Sequence, residues 1–292
     1  MAPATCQQLP FAESTPVPEA SGAAWLTVDG KPALLVIGDS GTHGAYGLID
    51  PDTGATLETG NLPMSTEAGD DLEGLAARGD KIYGLISSGW VRTWRRQGKG
   101  FVLVDKPYPL GQVDGRGTPP AGSAPEGGRG SIDLSDRKTK KHAPTGDGMV
   151  CGADVVNCGR NYEGLCLAPA TVTTGCIGFA AAKADGHLYC LTDEAGKLVV
   201  HHDRAIEVTR EGALADCAFS EDGTLWAGSN MFDLGRVYRV AHWDDPAQAQ
   251  VEPVGSLGVG FPETLAVRGD VVYRMSDMGG APSLMARYRC AK

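Results

Sequence analysis

A repeat written five times constrains this chain more than any other feature. Short apolar runs recur, each with an aromatic residue or leucine at one fixed position: Leu35, Tyr83, Tyr189, Trp226 and Tyr273. Four residues later each run ends in a small or polar turn, at Asp39 in GDSG, Ser87 in SSG, Asp193 in TDEAG, Asn230 in SNM and Asp277 in SDMGG. A third run follows each turn: AYGLID, GFVLVD, KLVVHH, RVYRVA and SLMARYR. Several units add a weaker fourth run, such as ATLETG, AIEVTR and AQVEPVG. Alternating polarity with β-branched and aromatic enrichment marks strands rather than helices. Each unit therefore reads as four short antiparallel strands in roughly 40–48 residues, the pattern of an all-β propeller.

Five blades are legible in the 292 residues, which read as one domain. Forty-one glycines and eighteen prolines fit a turn-rich architecture. A polar, Gly- and Pro-rich insertion at about 111–160 separates the blade-two runs from Tyr189. It reads as a long loop, with the basic run Arg137 to Lys141 as a solvated surface. Blade five lacks a fourth run after SLMARYR, and the N-terminal TCQQLPFAE is a spare strand. Pairing it there closes the ring and removes an open edge. Cys6 and Cys290 then sit where a disulfide would lock the closure.

Four acids occupy one place in the repeat: Glu73, Glu163, Asp216 and Glu263. In three units the aromatic follows ten positions later; after Glu163, about sixteen extra residues intervene before Tyr189. Strand one of a propeller blade lines the central channel, and strand two returns antiparallel to it. The strand-one acids and the turn residues Asp39, Ser87, Asp193, Asn230 and Asp277 should therefore meet at one mouth. Blade one departs from the acid column, with Ala23, Ala24 and Trp25 there. Carboxylates about 5 Å apart repel by roughly 3 kcal/mol per pair at an effective dielectric of about 20. They must be protonated, meet donors or bind a cation. All-oxygen ligation points to Ca²⁺, with Mg²⁺ a weaker candidate. The absence of histidine from both columns argues against zinc or iron. The structural alternative is that such an acid accepts backbone N–H groups of the next blade and holds the blades in register.

Asp39, His43, Asp193 and Asp277 are the candidates for proton transfer or water positioning. The text GDSG matches a serine-protease nucleophile motif, but no partner triad accompanies Ser40. WVRTWRR follows the blade-two turn and is expected to overhang the mouth. Its Arg92, Arg95 and Arg96 could hold an anion, its Trp90 or Trp94 could stack on a ring, and Asn230 could contact a ligand. His187, His201 and His202 read as structural or exposed.

The motifs DDLEGLA and NYEGLCL, with VIGDSG…AYGLID, resemble secreted bacterial propellers of the phytase-like, esterase-like group. LEGLAARGDKIYGLISSGW is similar to the Glu-containing blade of the calcium-dependent nucleotidases (apyrases). These are five-bladed and place one Glu or Ser per blade at a central calcium. That resemblance implies Glu73 as a calcium ligand, with Glu163, Asp216 and Glu263 by the same position. The other apyrase motifs are missing. The six-bladed lactonase and phosphotriesterase propellers share the logic of a channel calcium held by acids and amides.

The net charge of −10 argues against a nucleic-acid partner. No apolar run reaches the roughly 18–20 residues of a membrane helix. Eight cysteines, an even number, suggest four disulfides and an oxidising, secreted or periplasmic setting. The start MAPATC has no apolar signal segment, so secretion implies one already removed. The expected protein is a monomeric calcium-binding propeller. It acts either as a Ca²⁺-dependent hydrolase of phosphate or carboxyl esters, or as a non-catalytic module that binds a small molecule or protein around a structural ion.

Overall fold

A computed structural model describes residues 6–113, 149–173, 175–209, 213–230, 235–258 and 260–290. Its strands form five antiparallel four-stranded blades, with no α-helix among the described residues. The chain begins with β1 (Cys6–Leu9) and β2 (Ser14–Pro18). Blade one is β3 (Ala20–Val28), β4 (Lys31–Gly38), β5 (Ala45–Ile49) and β6 (Thr56–Asn61). Blade two is β7 (Leu72–Arg78), β8 (Lys81–Ile86), β9 (Trp90–Gln97) and β10 (Gly100–Leu103), and β11 (Tyr108–Pro109) adds to β9. Next, β12 (Gln112–Val113) and β13 (Met149–Val150) pair in parallel. Most of the expected insertion, including Arg137 to Lys141, lies outside the described residues.

Blade three is β14 (Tyr162–Leu167), β15 (Gly178–Ala182), β16 (His187–Glu194) and β17 (Lys197–Glu207). Blade four is β18 (Leu214–Phe219), β19 (Leu225–Ser229), β20 (Arg236–Ala241) and β21 (Gln250–Ser256). Blade five takes β22 (Phe261–Arg268), β23 (Val271–Asp277) and β24 (Pro282–Cys290), and β1 completes it from the other end of the chain. Cys6 pairs in register with Cys290 and is bonded to it. The expected closure is therefore present.

The first strands β3, β7, β14, β18 and β22 pack on one another in sequence, and β22 returns to β3, so the ring is closed. Its core consists of five apolar layers, one between each pair of adjacent blades. The period of two along each strand builds them. In β4, Leu35 and Ile37 pack toward blade two, while Leu34 and Val36 join the layer shared with blade five. Close approach of first strands requires glycine. A Cβ on Gly74 would lie 2.5 Å from the Leu165 backbone nitrogen of the next blade.

Two strand assignments differ from the sequence reading. In blade three, strand two is β15, GFAAA, and Tyr189 lies on strand three. The extra residues after Glu163 are thus a loop and a whole strand, hidden because three of its five residues are alanine. In blade two, WVRTWRRQ is strand three and GFVL strand four. All eight cysteines are paired: Cys6–Cys290, Cys151–Cys158, Cys166–Cys217 and Cys176–Cys190.

Candidate metal centre

Strand register defines the mouth of the channel. In every blade the pairing of strands one and two slips by one residue near the start of strand one. It passes from Ala20 to Gly22, Leu72 to Gly74, Tyr162 to Gly164, Leu214 to Asp216 and Pro262 to Thr264. The skipped residues are Ser21, Glu73, Glu163, Ala215 and Glu263. Such bulges re-aim side chains out of the regular pleat. Strand two then ends at a second column, which is Asp39, Ser87, Lys183, Asn230 and Asp277.

Asp216 therefore does not share the position of the three glutamates, and its place in that column is corrected. The β18–β19 turn is one residue longer, so counting ten back from Trp226 stops at Asp216, one residue short of Ala215. Asp216 stands instead where blades one to three have Gly22, Gly74 and Gly164. Its carboxylate accepts the Leu265 N–H of the next blade at 2.8 Å and the Cys217 N–H at 2.7 Å. This is the structural role described above for an acid between blades. Burial raises its pKa well above the usual carboxylate range, against those two N–H groups and the charge of buried Arg274.

On the mouth, one ligating oxygen from each of Asp39, Asp71 and Glu73 lies within 4.8 Å of the others. Asp71 accepts a hydrogen bond from Ser87 Oγ, which in turn accepts the Asn157 N–H at 3.0 Å. The other half of the cup is occupied by the chain's own cation. Lys183 Nζ is 2.6 Å from Glu163 Oε2 and 3.5 Å from Glu263 Oε1. Asn161 Nδ2 donates to Glu163 Oε1 at 2.8 Å, and Asn230 Nδ2 to Glu263 Oε1 at 3.0 Å. In blade one, Ser21 Oγ donates to the Leu72 carbonyl at 2.6 Å.

Burial with too little positive charge sets the electrostatics. Asp39 is pushed up to about 8, by burial first and then by the charge of Asp71. Glu73 is raised well above its usual range by burial and by Glu163, Asp39 and Asp71. Burial lifts Glu163 to about 7 against the pull of Lys183. Asp71 and Glu263 are also raised, again by burial first. Lys183 loses hydration, but the charges of Glu163 and Glu263 outweigh that loss and raise its pKa.

The remaining candidates are distributed around the fold. His43 is exposed on the rim, with Nδ1 3.0 Å from Asp70 Oδ2. Asp277 accepts the Gly279 N–H in its turn, and its charge contributes to the upward shift of Glu263. Asp193 is corrected: it lies near the end of β16, accepting the Gly196 N–H of the β16–β17 turn, at the end of the blade away from Lys183. The expectation for WVRTWRR is corrected too, because β9 runs away from the mouth. Trp90 Nε1 donates to the Cys151 carbonyl. Arg92 is buried under the Ser65 and Ala68 carbonyls. Arg95 pairs with Asp80 on the far side, and Arg96 with Glu58. The far end of the channel is an apolar cavity of about 290 Å³ that includes Trp25, Leu75, Leu165, Leu167 and Phe219.

Asp71, Asn161 and Lys183 escaped the sequence reading. A signal existed for two of them, since DLEG and NYEG each place a polar residue two positions before the glutamate. Lys183 had no signal while β15 was unrecognised.

No protein-family model matches the chain, and a search of curated proteins found no similar sequence. Two solved structures are similar in fold. A luciferin-regenerating enzyme aligns with a TM-score of 0.50 and 10% identity over 98% of this chain and 95% of its own. The glutaminyl cyclase of Myxococcus xanthus aligns with a TM-score of 0.50 and 12% identity over 99% and 98%. Both are β-propellers, and at these identities the likeness extends to the fold alone.

Proposed function

We propose that this protein is a Ca²⁺-binding propeller that hydrolyses carboxyl or phosphate esters at its acidic mouth, in a secreted or periplasmic setting. The observation that carries the reading is the trio Asp39, Asp71 and Glu73, with one ligating oxygen each within 4.8 Å of the others. Three carboxylates with no cationic side chain paired to them, among the described residues, form an oxygen set that a divalent ion neutralises. Ca²⁺ takes roughly six to eight oxygens in irregular arrangements and fits better than Mg²⁺, which demands an octahedron. Glu73 also stands at the bulge position where the resemblance to calcium-dependent nucleotidases implies a ligand, while Lys183 takes the place of an ion beside Glu163 and Glu263. Four disulfides fit an oxidising compartment.

An ion bound there supplies Lewis-acid polarisation of a substrate oxygen. The chain supplies the rest. Asp39 is the most exposed of the trio and positions water at the mouth. Asp70 orients His43 through Nδ1, which leaves Nε2 to accept a proton. A second reading, a binding module with a structural ion, draws on the burial of Glu73, only 5% exposed.

Elemental analysis with Ca²⁺ titration and melting curves tests the ion. A protein without bound metal, and with no rise in Tm at millimolar Ca²⁺, would rule it out. Ester and phosphoester turnover before and after chelation then separates the hydrolase from the binding module.

A further inference from the structure

The two halves of the acidic cup differ in how their carboxylates are satisfied. Both Glu163 oxygens have donors from the chain, Asn161 Nδ2 on Oε1 and Lys183 Nζ on Oε2. Glu263 Oε1 meets Asn230 Nδ2 and Lys183 Nζ. Across the mouth, no side-chain donor reaches Glu73 among the described residues, and Asp71 has the neutral Ser87 hydroxyl. Lys183 also stands where the other blades place Asp39, Ser87, Asn230 and Asp277, each of which offers an oxygen. One blade has thus exchanged an oxygen for a cation. Its ammonium is held by a glutamate only 2% exposed, so water does little to screen the pair.

We propose that Lys183 is a tethered cation that occupies the Glu163/Glu263 half of the cup, restricts the mouth to one divalent ion at Asp39, Asp71 and Glu73, and weakens the binding of that ion. The inference rests on the reading that the Asp39 half takes a divalent ion. A second ion would have to displace the ammonium from two carboxylates. The first ion binds beside a fixed positive charge, whose field also reaches Asp71 and Glu73. Lys183 is in this sense a specificity-determining residue, setting how many ions enter and at what concentration.

The test is Ca²⁺ stoichiometry and affinity, by equilibrium dialysis with elemental analysis and by calorimetry. Wild type is expected to hold one Ca²⁺ per chain. Lys183→Gln is expected to hold two, the first at least tenfold tighter, and Lys183→Arg to stay at one. One ion with unchanged affinity in Lys183→Gln overturns the proposal. A wild type that holds none overturns the reading beneath it instead. Glu263→Gln gives a test that does not depend on how Lys183→Gln folds. Its first-ion Kd should stay within threefold of wild type, and a loss above tenfold would make Glu263 a ligand and sink the proposal.

Discussion

Glu73 and Glu163 occupy the same bulge in adjacent blades, yet only Glu163 has an ammonium, at 2.6 Å. The equivalence is one of backbone and the difference one of neighbours. Blade three presents Lys183 beside its glutamate, and blade two presents Ser87. Glu73→Gln should therefore lower Ca²⁺ affinity at least tenfold while leaving the ion-free protein as stable or more so. Calorimetric titration and urea unfolding in chelator check both halves of this expectation.

The raised carboxyls give the ion-free protein a defined pH dependence. Asp39 moves from 3.8 to about 8 and Glu163 from 4.5 to about 7, with Glu73 raised as well. Between pH about 4 and 8 the folded state holds more protons than the unfolded chain, so stability falls as pH rises. The Tm in chelator should be higher at pH 5 than at pH 8.5. Millimolar Ca²⁺ should remove most of that fall, because a bound ion takes over the role of the protons. A Tm in chelator that rises over this range would contradict the assignment.

Asp216 should behave unlike the cup. It bridges blades four and five through Leu265 N–H and also accepts the buried Cys217 N–H. Asp216→Ala leaves those two buried N–H groups without an acceptor and should cost about 2–3 kcal/mol of stability. Bound Ca²⁺ per folded chain should not change, and chemical denaturation with metal counting measures the two separately.

Ser87 connects the Cys151–Cys158 loop to the acidic cup, because its hydroxyl accepts from Asn157 and donates to Asp71. Ser87→Ala leaves the Asp71 carboxylate short of a donor and should cost about 1–3 kcal/mol. Opening the loop with the pair Cys151→Ser and Cys158→Ser should weaken Ca²⁺ binding several-fold through the same contact. Titrations of both variants at fixed pH provide the check.

Much of the fold was legible because propeller strands repeat their burial. The aromatic and leucine column marked strand two in four blades, and TCQQLPFAE with Cys6 marked the closure. GFAAA failed to register because alanine carries little strand signal, although Phe179 sits where Tyr83 and Trp226 do. That one omission displaced Asp193 into the mouth and hid Lys183. Asp216 failed through a one-residue turn insertion, which in a strand reverses the direction of a side chain. The arginines of WVRTWRR were misplaced because a strand dense in charge resembles a loop in sequence.

Blade five draws three strands from residues 261–290 and one from residues 6–9. No consecutive stretch of chain can build it. A nascent polypeptide can assemble blades one to four in order of synthesis, but the ring then waits for Cys290 to reach Cys6. Until that meeting, the apolar layers flanking blade five face water, among them Leu34 and Val36 of β4 and the blade-four residues Val237 and Val254. The last folding step therefore spans nearly the whole contour of the molecule. Moving the ends to the 184–186 turn would make blade five contiguous and should transfer that late, aggregation-prone step to blade three.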